Sequence, residues 1–160
     1  MGLDVFVISR LKKTGAASAE IVVSQSQEHN KGIEAGYYRP TDESIRFGFR
    51  VGPYSFYNRF RETLSLCMHG VEPVEIWNSV DEYSGRPFVE MIDFSDCDGK
   101  LGGQVCHKLH ADFEENRSLF KKYIDSQGWS EEQIEYHLST YEDFTKAFEI
   151  GRDEGVVIFC

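Results

Sequence analysis

Between residues 45 and 51 the chain alternates strictly, setting Ile45, Phe47, Phe49 and Val51 against Arg46, Gly48 and Arg50. Successive side chains of a β-strand point to opposite faces, so this stretch predicts a strand with two arginines on one face and an apolar row on the other. Gly52-Pro53 stops it. Proline suits the first turn of a helix, where its missing N–H would have no partner in any case. A helix over residues 53–69 is the consequence, closed by Gly70. Its expected core stripe is Phe56, Phe60, Leu64 and Cys67, leaving Tyr54, Asn58 and Arg61 together on another face.

Other elements arrange themselves around this strand and helix. Residues 3–9, LDVFVIS, are rich in β-branched side chains and predict a first strand covered on both faces. Residues 19–24, AEIVVS, suggest a second strand, followed by a long loop over 25–44 with Gly32, Gly36 and Pro40 as breakers. Residues 71–86 are poorly periodic and read as a loop with helical turns, whereas the apolar run 88–94 reads as a strand. Val105, Leu109, Phe113, Phe120 and Tyr123 mark a helix ending near residue 126, before Gly128. Ser130-x-x-Gln133 is a capping-box start for a last helix with the stripe Ile134, Leu138, Tyr141, Phe144 and Phe148. Gly155 then opens a closing strand, VVIF. This order predicts an α+β or α/β fold, a four- to five-stranded sheet packed by about three helices, in a single domain over residues 1–160.

Charge narrows the partners. The net charge of −10 is uneven: residues 1–61 hold nine Lys/Arg against six Asp/Glu, and residues 62–160 hold eight against twenty-one. Generic nucleic-acid binding needs a basic stripe that neutralises phosphates, and most of this surface would repel a polyanion. A small anion held by a few local arginines remains compatible. Cys67, Cys97, Cys106 and Cys160 form no CxxC pair, and no secretory segment, myristoylation signal or apolar run of transmembrane length is seen, so a cytoplasmic protein with reduced thiols and no membrane partner is expected.

Two constellations can carry chemistry. Arg46 and Arg50 share a strand face that leads into the start of a helix, where free N–H groups and the positive dipole end favour an anion. Tyr54, Ser55, Tyr57, Asn58 and Arg61 lie on that helix. Arginine suits phosphate through its planar two-donor fork. The competing reading pairs these arginines with the acids of the C-terminal part.

The second constellation is the turn holding Glu90, Asp93, Ser95, Asp96 and Asp98, with four carboxylates in nine residues. Oxygen ligands suit Mg²⁺ or Ca²⁺. The spacing fits neither a calcium loop nor a phosphate loop, because Phe94 and Val105 fall where a calcium loop needs acids and GKLGG lacks the required Lys-Ser/Thr order. Carboxylates that bridge to the arginines or cap the next helix fit better, and no cofactor is expected. Cys106, His107 and His110 fit an ordinary helix face better than a metal or nucleophile site.

Together the stretches MGLDVFVIS, FGFRVGPYSFYNRFRETL, FVEMIDFSDCDGKLGG and YEDFTKAFEIGRDEGVVIF resemble a family of small bacterial and phage proteins. Asp98 and Gly103 depart from that pattern, which has Glu and Pro there. The resemblance implies no activity. It implies a mobile-element setting, in which small proteins often act on host defence, for instance by sequestering nucleotide signals.

The expected function is therefore a binding module for a small anionic, nucleotide-like ligand, with Arg46, Arg50, Tyr54, Ser55, Tyr57, Asn58 and Arg61 as one wall and Glu90, Asp93, Ser95 and Asp96 as the other. In an oligomeric form its further partners are copies of the chain. The alternatives are a divalent-metal-dependent phosphodiesterase built on Glu90, Asp93, Asp96 and Asp98, and an acidic inhibitor that covers a basic protein surface.

Overall fold

The computed structural model of the protein describes residues 2–26, 28–94 and 98–160. Its strands are β1 (Leu3–Ile8), β2 (Lys12–Lys13), β3 (Ile21–Val23), β4 (Asn30–Lys31), β5 (Gly36–Arg39), β6 (Arg46–Gly52), β7 (Gly99–Gly102) and β8 (Val156–Phe159). Its helices are α1 (Tyr54–His69), α2 (Pro73–Asn78), α3 (Val80–Tyr83), α4 (Val89–Ile92), α5 (Gly103–Asp125) and α6 (Glu131–Gly151). A five-stranded sheet runs β4-β7-β8-β1-β6, antiparallel except for the β4–β7 pair, and a three-stranded sheet runs β2-β5-β3. This is a mixed α+β fold, as the order of sequence signals predicts.

The pleat sorts the side chains of the large sheet into two cores. Leu3, Val5 and Val7 of β1 and Val157 and Phe159 of β8 join the main core with Tyr57 and Phe60 of α1, Phe113 and Phe120 of α5, and Phe144 and Phe148 of α6. Ile8 and Val156, on the other face, join a small core with Leu11, Ile21, Val23 and Tyr38 beneath the three-stranded sheet. That sheet is too small to cover the whole face, so Phe6 stays 49% exposed. The expected burial of β1 on both faces therefore holds only toward its Ile8 end.

The junction of β6 and α1 forms as its residues dictate. Pro53 precedes the first turn, and Gly70 closes the helix at φ 68°, its N–H donating to the Leu66 carbonyl. Rotation of the buried row differs from the expected stripe: Tyr57, Phe60, Arg61 and Leu64 are buried, while Phe56 is exposed and packs edge-on to Tyr136. The capping box of α6 is complete, with Ser130 Oγ accepting from Gln133 N–H and the Gln133 side chain accepting from Ser130 N–H.

Residues 88–94 do not form the expected strand. Phe88 takes a left-handed conformation at φ 64°, its N–H donates to Asp112 Oδ2 at 3.0 Å, and Val89–Ile92 follow as the single turn of α4. A short apolar run enclosed on several sides reads alike as strand or helix, because burial erases the period. The strand lies just downstream in GKLG, two of whose four residues are glycines of low β-propensity. A Cβ at Gly102 would stand 2.2 Å from the Gly32 carbonyl oxygen, so this close backbone approach needs glycine. The region expected as a loop over 25–44 contains β4 and β5, and residues 71–86 contain α2 and α3.

Candidate functional site

Arg61 organises the region where α1, α2 and the end of α4 meet. Only 6% of it is exposed, and its Nη1 donates to the Phe94 carbonyl at 2.5 Å and more weakly to the Ile92 carbonyl at 3.5 Å. Nη2 donates to Asn58 Oδ1. The guanidinium lies 4.8 Å from the Tyr57 ring centroid and 5.7 Å from that of Trp77, so a cation is held between two aromatic faces. Trp77 is fixed at its other end by Nε1–H donating to the Ile92 carbonyl at 2.8 Å.

Beside this clamp a cleft of about 640 Å³ opens between α1 and α2, lined by Ser55, Asn58, Arg59, Arg61, Glu62, Glu72, Pro73, Val74 and Trp77. Its size and its mix of apolar wall and a few polar groups are those of a small-molecule site. Trp77 and Val74 are 46% and 50% exposed, leaving apolar surface uncovered. Arg59 makes no ion pair among the described residues. In the same cleft, burial and the charge of the neighbouring Glu62 carboxylate raise the pKa of Glu72. The cleft thus offers an aromatic ring, a guanidinium with no ion pair among the described residues and two adjoining carboxyl groups.

A second, narrower cavity of about 190 Å³ continues past Arg59 and Glu62, bordered by Thr63, Tyr123, Trp129 and His137 among others. His137 is 2% exposed and stacks with Trp129, centroids 4.5 Å apart. Its Nδ1–H donates to the Gln133 carbonyl at 2.8 Å, which leaves Nε2, 3.2 Å from Thr63 Oγ1, as the acceptor nitrogen of the neutral ring. Burial depresses its pKa; the Gln133 bond opposes this and the Arg59 charge adds to it.

The unfolded chain, in which histidine titrates near 6.5, therefore binds more protons than the folded one between the folded value and about 6.5. Stability rises with pH across that window and is lost as pH falls through it, from about 6.5 down to the folded value. Burial lowers the pKa of His69 and His110 in the same direction. Urea denaturation is expected to show a lower midpoint at about pH 5.5 than at about pH 7, and His137→Gln should flatten that dependence.

The residues anticipated from sequence divide between two sides of the large sheet. Ser55, Asn58 and Arg61 line the cleft; Tyr57 lies buried beneath Arg61, and Tyr54 packs at the start of α1 against the main core. Arg46 and Arg50 do not join them. They project from the opposite face of β6, where Arg46 pairs with Glu20 at 2.8 Å and Arg50 with Asp4 at 3.2 Å. Glu90 pairs with Lys108 at 2.6 Å and Asp93 with Lys31 at 2.9 Å, so lysines rather than the expected arginines hold these carboxylates. Ser95 and Asp96 lie outside the described residues. The two segments expected as facing walls do meet, but through Arg61 and the Ile92 and Phe94 carbonyls.

Sequence reasoning missed Arg59, Glu62, Glu72 and Trp77. Glu72-Pro73 was the available signal, since proline occupies the first turn of α2 and turns Trp77 back toward α1. Among the described residues, no group of three or more His, Cys, Asp or Glu converges in a manner that would hold a metal ion. Burial pushes the thiol of Cys67, further along α1, up to about 11, which suppresses its thiolate. None of the described helices is long and apolar enough to cross a membrane. No protein-family model, curated protein or solved structure matches the chain, so the resemblance to the bacterial and phage family rests on its motifs alone.

Proposed function

We propose that the protein is a binding module for a small anionic, nucleotide-like ligand, which it captures in the cleft between α1 and α2. The observation that carries this reading is the half-exposed Trp77 ring in a cleft of about 640 Å³ shared with Arg59, which forms no ion pair among the described residues. A base stacks on Trp77, phosphate oxygens accept from Arg59 and from the Asn58 amide, and Glu62 and Glu72 accept from sugar hydroxyls. Arg61 plays a supporting part, because its guanidinium is already engaged with Asn58 and the Phe94 carbonyl. A cytoplasmic setting belongs to the same proposal and agrees with the unpaired state of Cys67, Cys106 and Cys160.

Calorimetry and thermal-shift assays against mono-, di- and trinucleotides test it. At least one nucleotide is expected to raise the melting temperature, and Arg59→Ala to weaken its binding about 10-fold while leaving the melting temperature of the ligand-free protein unchanged. No response across the panel at millimolar concentration would overturn the proposal.

A further inference from the structure

The cleft does not end at its own rim. Arg59 and Glu62 line both it and the 190 Å³ cavity beside it, so the two spaces share one wall on α1. The chain has two tryptophans, and each borders one of these spaces, Trp77 the cleft and Trp129 the cavity. Residues 55–66 of α1, which run along both, span about 16 Å at ~1.5 Å per residue.

We infer that the ligand has two planar rings joined by an anionic bridge, in the chemical class of a dinucleotide, with one ring on Trp77, the other against Trp129, and the bridging phosphate at Arg59. This rests on the reading of the cleft given above and extends it from one ring to two. Several features favour it. His137 backs Trp129 at 4.5 Å and is itself fixed through Nδ1 to the Gln133 carbonyl, so the second ring platform is braced before any ligand arrives. Tyr123 supplies a further aromatic edge, and the Gln127 side chain, whose Nε2 is engaged by the Tyr123 carbonyl, leaves its amide oxygen for the edge of a base.

Arg59 is the one cation that lines both spaces, and it forms no ion pair among the described residues. Placed between two aromatic platforms, it suits a charge between two rings better than one at the end of a single nucleotide. Glu62, on the same wall, disfavours a terminal phosphate of higher charge and tolerates a bridging one.

Isothermal titration of the full chain with AMP, ADP and the adenine dinucleotide pApA separates the contribution of the second ring from that of added charge. The dinucleotide is expected to bind about 10- to 100-fold more tightly than either AMP or ADP, the gain of stacking one further base. Trp129→Ala should remove that gain and leave AMP binding as it is, with melting curves reporting whether the variant folds. The comparison of ligands on the unaltered protein stands without the variant. Equal affinity for AMP and pApA, or a gain that survives in folded Trp129→Ala, overturns the two-ring inference and leaves the cleft reading intact. Absence of binding by all three ligands overturns both when the wider nucleotide panel is silent as well; where another base responds, the same mono- against dinucleotide comparison with that base decides the two-ring inference.

Discussion

Replacing Phe144 by alanine is expected to lower the unfolding free energy by about 3–5 kcal/mol, the cost of removing a fully buried aromatic ring and leaving its cavity. Phe144 has no exposed surface and is where the layers meet. Its ring stacks on Phe60 of α1 at 5.6 Å and meets Phe49 of β6 edge-on at 5.0 Å. Phe113, Phe148 and Phe159 stand at 6.4, 5.9 and 6.1 Å. The void would face two helices and two strands at once, and those elements cannot all close on it, so the loss should lie toward the upper part of the range. Urea denaturation measures it, with Leu119→Ala as the control: that side chain is 47% exposed on α5, and its truncation should change stability by no more than about 0.5 kcal/mol.

Arg61→Met is expected to cost about 2–4 kcal/mol, for a different reason. Methionine keeps much of the length and fills the space, so cavity formation contributes little. What is lost is a buried charge-assisted bond to the Phe94 carbonyl and the bond to Asn58. The Ile92 carbonyl retains Trp77 Nε1–H as a donor, whereas the Phe94 carbonyl is left to find a new one. Because the same guanidinium braces Trp77 and Asn58, the variant should also weaken nucleotide binding even where it remains folded. Arg61→Lys keeps the charge without the planar fork and should fall between the two proteins in urea midpoint.

What could be read in advance follows from the length of the repeating pattern. β6, α1, α5 and α6 each sustain their period over seven residues or more, and their caps at Gly70 and Ser130 use residue types with well-defined chemistry. β4 and β7 are two and four residues long and rich in neither branched nor aromatic side chains, so nothing local distinguishes them from a turn. The apolar run at 88–94 carried composition without period.

Arg46 and Arg50 stand apart from the rest of the candidate site for a topological reason. α1 packs on the face of the sheet that carries Val51, and strand alternation turns Arg46 and Arg50 away from that face. They are near Arg61 in sequence and lie across the sheet from it. Asn58 and Arg61 were legible because helical spacing groups them, although the same spacing grouped Tyr54, which packs against the main core instead, with them; Trp77 joins them only through the packing of α2, a six-residue helix too short to display a period.

Which arginines meet the ligand is measured directly by residue-resolved NMR of the ¹⁵N-labelled protein titrated with AMP. Shifts are expected at the Trp77 indole N–H, the Asn58 side-chain amide and Arg59 Nε, with Arg46 and Arg50 unmoved in their pairs with Glu20 and Asp4. Shifts confined to Arg46 and Arg50, or none at Trp77 and Arg59 at saturating AMP, would contradict it.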